Sequence, residues 1–212
     1  MGLIPEEIER YASSHSTPEP AWLTAAAEAT ATDTECPSML TGHLEGRFLE
    51  FLVWALQPRL VVEVGTFTGY GSMSMAAGLA VDGRVVTCEI DARHADLARR
   101  HIAASPYADR IEVREGPALD TLATITDPVD LAFIDADKES YLAYYEALVP
   151  KLSDRGVIAV DNVLWSGRVV DPSVTDSDTE AIRAFNDRVS QDEHVLCVMT
   201  TVRDGVTLVR RR

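Results

Sequence analysis

Val129-Asp-Leu-Ala-Phe-Ile-Asp-Ala-Asp-Lys138 is the stretch that decides the fold. Its first six residues form a short apolar run of the kind buried on both faces of a parallel sheet, and the run stops abruptly in carboxylates and a lysine. Gly156-Val-Ile-Ala-Val-Asp-Asn162 repeats the pattern. In an open α/β sheet the ligand crevice lies beyond the carboxyl ends of the strands. Asp135, Asp161 and Asn162 are therefore expected at one crevice, with Lys138 facing the same spot three residues past Asp135.

Working outward, residues 60–64, 84–90, 111–115, 129–134 and 157–160 read as strands. They alternate with helices over 71–80, 92–104, 119–124 and 139–149. That alternation predicts a parallel, doubly wound sheet with right-handed crossovers. The end of the chain breaks the rhythm. After a helix over 179–190 come strands at 195–202 and 206–210, separated only by Arg203-Asp-Gly205, and Asp-Gly is a strong hairpin signal. Upstream, a helix over 41–56 sets Leu44, Phe48, Leu52 and Leu56 at helical spacing. Short helices at 5–13 and 20–31 flank the break Thr17-Pro-Glu-Pro20, residues 33–42 are turn-rich, and 167–178 is a polar loop able to cover a site. The whole, 1–212, reads as one domain with residues 1–35 as a helical extension.

Thirty-four acidic against 19 basic side chains leave a net charge of −15. That balance argues against nucleic acid and against an anionic membrane surface, both of which need clustered cations. Arg210-Arg-Arg212 reads as a solubilising tail. Cys36, Cys88 and Cys197 lack CxxC spacing and fit a reducing cytoplasm. The apolar runs are too short to span a bilayer. Met-Gly-Leu-Ile-Pro-Glu-Glu lacks a basic leader, and Glu6 stands where acylation of Gly2 would want Ser or Thr. A soluble cytoplasmic protein is expected.

Two sites emerge. The first strand ends in Val62-Glu-Val-Gly-Thr-Phe-Thr-Gly-Tyr-Gly71, with glycines spaced G-x-x-x-G-x-G. This is neither the dinucleotide fingerprint nor a phosphate loop. A looser loop beside an acid, Glu63, suits a ligand with a cationic amine and no pyrophosphate. Glu89 ends the second strand, where an acid accepts from ribose hydroxyls. Asp91 beyond it reads as a helix cap. The second site is Asp135, Asp161 and Asn162, hard oxygen donors suited to Mg²⁺ or Ca²⁺ with room for water or a chelating substrate. Lys138 is placed to accept a proton there. Trp165 reads either as core or as the wall of a planar substrate. The five histidines lack ligand spacing.

Glu63-Val-Gly-Thr-Phe-Thr-Gly-Tyr70, Gly116-Pro-Ala-Leu119, Phe133-Ile-Asp-Ala-Asp-Lys138, Asp161-Asn-Val-Leu-Trp165 and Asp204-Gly-Val-Thr-Leu208 together resemble the cation-dependent O-methyltransferase family of catechol and caffeoyl-coenzyme A enzymes, from about Met39 onward. The resemblance implies a Rossmann-like, seven-stranded, mostly parallel sheet with a C-terminal antiparallel hairpin and helices on both faces. It implies S-adenosyl-L-methionine as donor and a divalent cation, Mg²⁺ with Ca²⁺ or Mn²⁺ as alternatives. Carried over by position, Glu63, Gly65 and Thr66 line the methionine part with Thr41 close by, and Phe67 joins the cofactor contacts. Glu89 holds the ribose, Ala118 lies by the adenine, and Asp135 stands between cofactor and metal. Asp135, Asp161 and Asn162 take the metal, Lys138 is the base, and Met39, Lys138 and Trp165 face the acceptor. The family's serine after Gly-Tyr, which contacts the cofactor carboxylate, is replaced by Gly71, so either Ser72 substitutes or the contact is lost. Family members are commonly homodimers.

The expected activity is metal-dependent O-methylation of a catechol-like or other vicinal oxygen pair. A hydroxylated acyl carrier or natural-product intermediate is the alternative acceptor. Two rivals come from other classes: a D-x-D glycosyltransferase, since Asp135-Ala-Asp137 spells that motif, and a non-catalytic cofactor-binding protein. The glycine loop with Glu63 and Glu89 argues against the first, and the intact metal set with Lys138 against the second.

Overall fold

Apolar β-branched runs form the centre of the computed structural model, which describes residues 3–212. Met1 and Gly2, the glycine weighed above for acylation, lie outside the described residues. Strands β1 (Leu60–Val64), β2 (Arg84–Glu89), β3 (Ile111–Glu115), β4 (Val129–Ile134) and β5 (Leu152–Val160) pair in parallel. Strands β6 (Val195–Thr200) and β7 (Val206–Arg211) complete a sheet of order β3-β2-β1-β4-β5-β7-β6. β7 lies antiparallel to both its neighbours, so β6 runs with the first five strands. The order reverses between β1 and β4, which makes their carboxyl ends the switch point where ligands bind.

Helices α1 (Glu6–Ser14), α2 (Ala21–Asp33), α3 (Gly42–Leu56), α4 (Tyr70–Ala77), α5 (Ala92–Ala103), α6 (Ala118–Thr124), α7 (Tyr141–Leu148) and α8 (Ser177–Ser190) cover the sheet. One core packs Leu23, Leu49, Val53, Met73, Ala98 and Ile102, from α2 through α5, on one face. The other packs Leu122, Tyr141, Tyr145, Leu148, Phe185 and Val189, from α6 through α8, on the opposite face. Tyr141 and Tyr145 both meet Phe185 edge-to-face, at 5.8 and 6.0 Å. Asp91 does cap α5, accepting from the backbone N–H of Arg93 and His94. None of the described helices is long and apolar enough to cross a membrane.

Two elements differ from expectation. β5 begins at Leu152, five residues earlier than the apolar run, because Ser153-Asp-Arg155 extends it along an exposed stretch with a register shift opposite β4. In α3 the fully buried face is Glu45, Gly46, Leu49 and Val53, while the stripe Leu44, Phe48, Leu52 and Leu56 forms its half-buried flank. Close packing sets that rotation. A Cβ on Gly46 would stand 2.8 Å from Ser74 Oγ and 2.9 Å from the Tyr70 ring, so α4 reaches the α3 backbone there and draws the next residue, Glu45, inside.

Candidate functional site

The sheet ladder continues past the strand ends and lines up the functional residues. Gly65 N–H donates to Cys88 O (3.1 Å), Asp135 N–H to Val64 O (2.9 Å) and Asp161 N–H to Ile134 O (3.0 Å). The glycine loop, Asp135 and Asp161 therefore stand side by side at the switch point. Gly65 has φ +101°, and a Cβ there would fall 1.9 Å from Asp135 O. Only glycine lets the two halves of the crevice touch. Phe67, Asn162, Trp165 and Ser166 all have positive φ, between 48° and 58°. Such backbone is held by its surroundings, and it clusters at functional sites.

On the glycine-loop side, Glu63 is 1% exposed at the fourth position of β1. Its Oε2 accepts from Ser72 Oγ and from Thr87 Oγ1 (2.5 Å), and Thr66 and Thr87 hydroxyls lie 2.5 Å apart. Burial pushes the Glu63 carboxyl up to about 8, against the opposing pull of the Ser72 and Thr87 hydrogen bonds, while Asp135 and Glu89 add to the rise. Glu89 is also buried and accepts from Phe67 N–H (2.7 Å) and Asp91 N–H (2.9 Å), which fixes its carboxylate at the end of β2. Phe67 packs edge-to-face on His94 at 4.8 Å. Ala118 opens α6 just after Gly116, whose N–H donates to Glu89 O (2.8 Å). Met39, largely exposed, lines a cavity of about 180 Å³ with Cys36, Asp91 and His94. Thr41 directly precedes α3 without a side-chain capping hydrogen bond, and its hydroxyl lies 3.2 Å from the point a Gly71 Cβ would occupy.

On the other side, Lys138 is buried at 8% exposure and all three of its donors are engaged. They reach Asp135 Oδ1 (3.1 Å), Asn162 Oδ1 (2.7 Å) and the Tyr141 hydroxyl, which itself donates to Asp161 O (3.1 Å). The ammonium also lies 5.4 Å from the Trp165 ring centroid. The structure thus brings Asp135, Lys138, Asp161, Asn162 and Trp165 together. Asp137 is not part of this group: its Oδ1 accepts from Tyr144 OH at 2.6 Å, which removes the second acid of a D-x-D reading. Asp161 is pushed up to about 6, by burial first and then by the Asp135 charge. Its Oδ2 accepts from Asn162 Nδ2 (2.9 Å), and the Glu45 carboxyl, held protonated by burial, shares a side-chain hydrogen bond with this acid. Among the described residues no three His, Cys, Asp or Glu side chains gather as a ready-made metal cage, so a cation here would have only two carboxylates and an amide oxygen.

Four residues were not singled out from sequence. Tyr141 and Thr87 are hydroxyls inside apolar runs. Glu45, 3% exposed, approaches Asp161 from α3; burial first, and then the Asp161 charge, hold it well above the usual carboxylate range. Arg203 reaches back from the hairpin turn to Glu45 Oε2 (3.1 Å) and to Thr41 O. The only signal was an acid beside a glycine on a helix face, which is common on surfaces.

A model of an O-methyltransferase family matches residues 13–212. The chain is 41% identical to a catechol O-methyltransferase of Mycobacterium tuberculosis, over 80% of this chain and 76% of that one. An O-methyltransferase from Bacillus cereus, solved in complex with SAH, superposes with TM-score 0.89 at 32% identity over 97% of both chains. TomG of Streptomyces achromogenes, described as involved in tomaymycin synthesis and solved with SAM, gives TM-score 0.88 at 30% identity, covering 97% of this chain and 96% of that one.

Proposed function

This chain belongs to the O-methyltransferase family, and on that premise we propose that it transfers the methyl group of S-adenosyl-L-methionine to a hydroxyl of a vicinal, catechol-like oxygen pair with the aid of a divalent cation, Mg²⁺ first. The observation that bears the reading is Lys138, buried and hydrogen-bonded to both Asp135 and Asn162 at the end of the sheet that also carries Glu63 and Glu89. The two relatives solved with SAH and SAM support the donor.

The residues fit both groups. Glu63 Oε1, clear of the two donors on Oε2, suits the cofactor's ammonium, and Glu89 suits two ribose hydroxyls. Gly65, Thr66, Phe67 and Ala118 frame that half. Asp135, Asp161 and Asn162 would hold the cation: two carboxylates and an amide oxygen at adjacent strand ends are the hard-oxygen donor set that suits it. When bound, the donor supplies an electrophilic sulfonium methyl and the cation lowers the pKa of an acceptor hydroxyl. Lys138 is the general base that takes the hydroxyl proton on Nζ. Tyr141, Asp135 and Asn162 fix where that nitrogen sits. Trp165 walls the acceptor side and limits water. Holding both reactants in line is able to supply about 7–11 kcal/mol of the barrier. The same reading carries a homodimer, for which Phe51 and Trp54, exposed on α3, offer apolar surface.

Asp161→Ala and Lys138→Ala test the division of labour. Both are expected to lose most turnover, on the order of 10²-fold or more, while S-adenosylhomocysteine still binds by calorimetry. Full turnover in either variant with a competent acceptor would sink the mechanism.

A further inference from the structure

Glu63 does more than end a strand: its two oxygens have different surroundings. Oε2 takes both internal donors, Ser72 from the first turn of α4 and Thr87 from β2. Thr87 spends its one proton on Glu63, so the 2.5 Å contact with Thr66 makes Thr66 the donor to Thr87, a relay of three hydroxyls ending on one carboxylate oxygen. Oε1 faces the backbone of Gly71. A Cβ on Gly71 would fall 2.6 Å from Oε1, closer than a Cβ is tolerated unless the carboxylate shifts, and a tight 3.2 Å from Thr41 Oγ1. Ser72 is fully buried, so its hydroxyl is spent on Glu63 and does not reach a ligand.

We propose that Ser72 and Thr87 are positioning residues that hold Glu63 with Oε1 aimed at the cofactor's amino group, and that Gly71 is bare because this placement needs the room. The proposal rests on the reading of Glu63 as the cofactor's ammonium acceptor. It also gives Gly71 a role: a Cβ there would meet Oε1 where the two donors hold it. The groups facing Glu63 are Ser72 of α4, Thr87 and Glu89 of β2, Asp135 beyond β4, and Thr41 at the start of α3. Only the two hydroxyl donors favour its charged form, while burial, Asp135 and Glu89 oppose it. Binding an ammonium must therefore ionise Glu63 and release its proton.

The test is calorimetric titration of S-adenosylhomocysteine in two buffers of different ionisation enthalpy, which counts protons released. With Glu63 near 8, the wild type is expected to release about half a proton at pH 8. In Ser72→Ala the acid titrates higher, so release rises toward one proton and affinity at pH 7 falls about tenfold. Thr87→Val, which keeps the side-chain shape if the α4 variant folds poorly, moves both readouts the same way. Gly71→Ser, although it restores the serine implied by the family resemblance, is expected to bind about tenfold more weakly or worse. Wild-type affinity and proton count in both Ser72→Ala and Thr87→Val would overturn the proposal, as would tighter binding by Gly71→Ser. Glu63→Gln separates the two levels. If it binds as tightly as wild type, Glu63 is not the cofactor's acid and the underlying reading falls; if it alone loses binding, only the positioning role falls.

Discussion

Replacing Arg203 with methionine probes a partly buried ion pair that joins the hairpin to the site. Arg203 Nη1 lies 3.1 Å from Glu45 Oε2, with side chains 34% and 4% exposed. It also donates to Thr41 O and stands 3.8 Å from Glu9. Stripping one partner from a fully buried pair costs about 3–5 kcal/mol. Arg203 is a third exposed, so solvent already screens part of the attraction, and about 2–3 kcal/mol is expected. For a chain of this size that is a fall in Tm of roughly 5–10 °C. Glu45→Gln is expected to cost less, about 1 kcal/mol or under, because it removes the charge crowding Asp161 and leaves Arg203 hydrated and bound to Thr41 O. In the double variant the Arg203 deletion then costs much less than it does alone. The sign of the pH dependence follows from Glu45's raised pKa. The proton is held more tightly in the folded state, so the Arg203→Met penalty is smallest at low pH and grows as Glu45 ionises at higher pH. Urea unfolding of the four proteins at pH 5 and pH 8 measures all of this. If the Arg203→Met penalty shrinks as the pH rises, or if Glu45→Gln costs more than Arg203→Met, this pair does not tie the hairpin to α3.

Glu63→Gln tests burial of that acid through stability. Because Glu63 titrates near 8 in the fold and near 4.5 otherwise, its stabilising contribution is complete below about 4.5 and is lost as pH rises through 8. The glutamine variant is expected to show a flatter stability profile across that window by calorimetric Tm, and an unchanged slope would contradict the assignment. Gly65→Ala forces a Cβ onto Asp135 O at positive φ. It is expected to lose on the order of 4 kcal/mol or more together with S-adenosylhomocysteine binding, and a wild-type Tm would show that the loop and Asp135 are not in contact.

Much of this architecture was legible because parallel strands buried on both faces must be mostly apolar, as 60–64 and 129–134 are apart from Glu63 and Asp130, and because Asp204-Gly205 marks the final hairpin. Where such runs stop, the crevice begins, which is why Asp135, Asp161 and Asn162 could be placed side by side in advance. The first half of β5 was hidden, since Ser153-Asp-Arg155 is exposed and its polar side chains look like loop. Glu45 and Arg203 were hidden for another reason. Their burial depends on Gly46 admitting α4 and on a hairpin tip folding back across the sheet, and neither tertiary contact leaves a periodic trace in the sequence. Ser72 could be placed near the cofactor loop from its position, but that its hydroxyl turns inward to Glu63 required the coordinates.

The central claim, a metal-assisted methyl transfer to neighbouring oxygens, is met most directly by methyl transfer from S-adenosyl-L-methionine to a panel of catechols and matched monohydroxy aromatics, with and without EDTA. The account expects methylation of the vicinal diols, loss of that activity in EDTA, and its return with excess Mg²⁺. Catechol methylation that persists undiminished in EDTA, or equal methylation of the monohydroxy compounds, would contradict it.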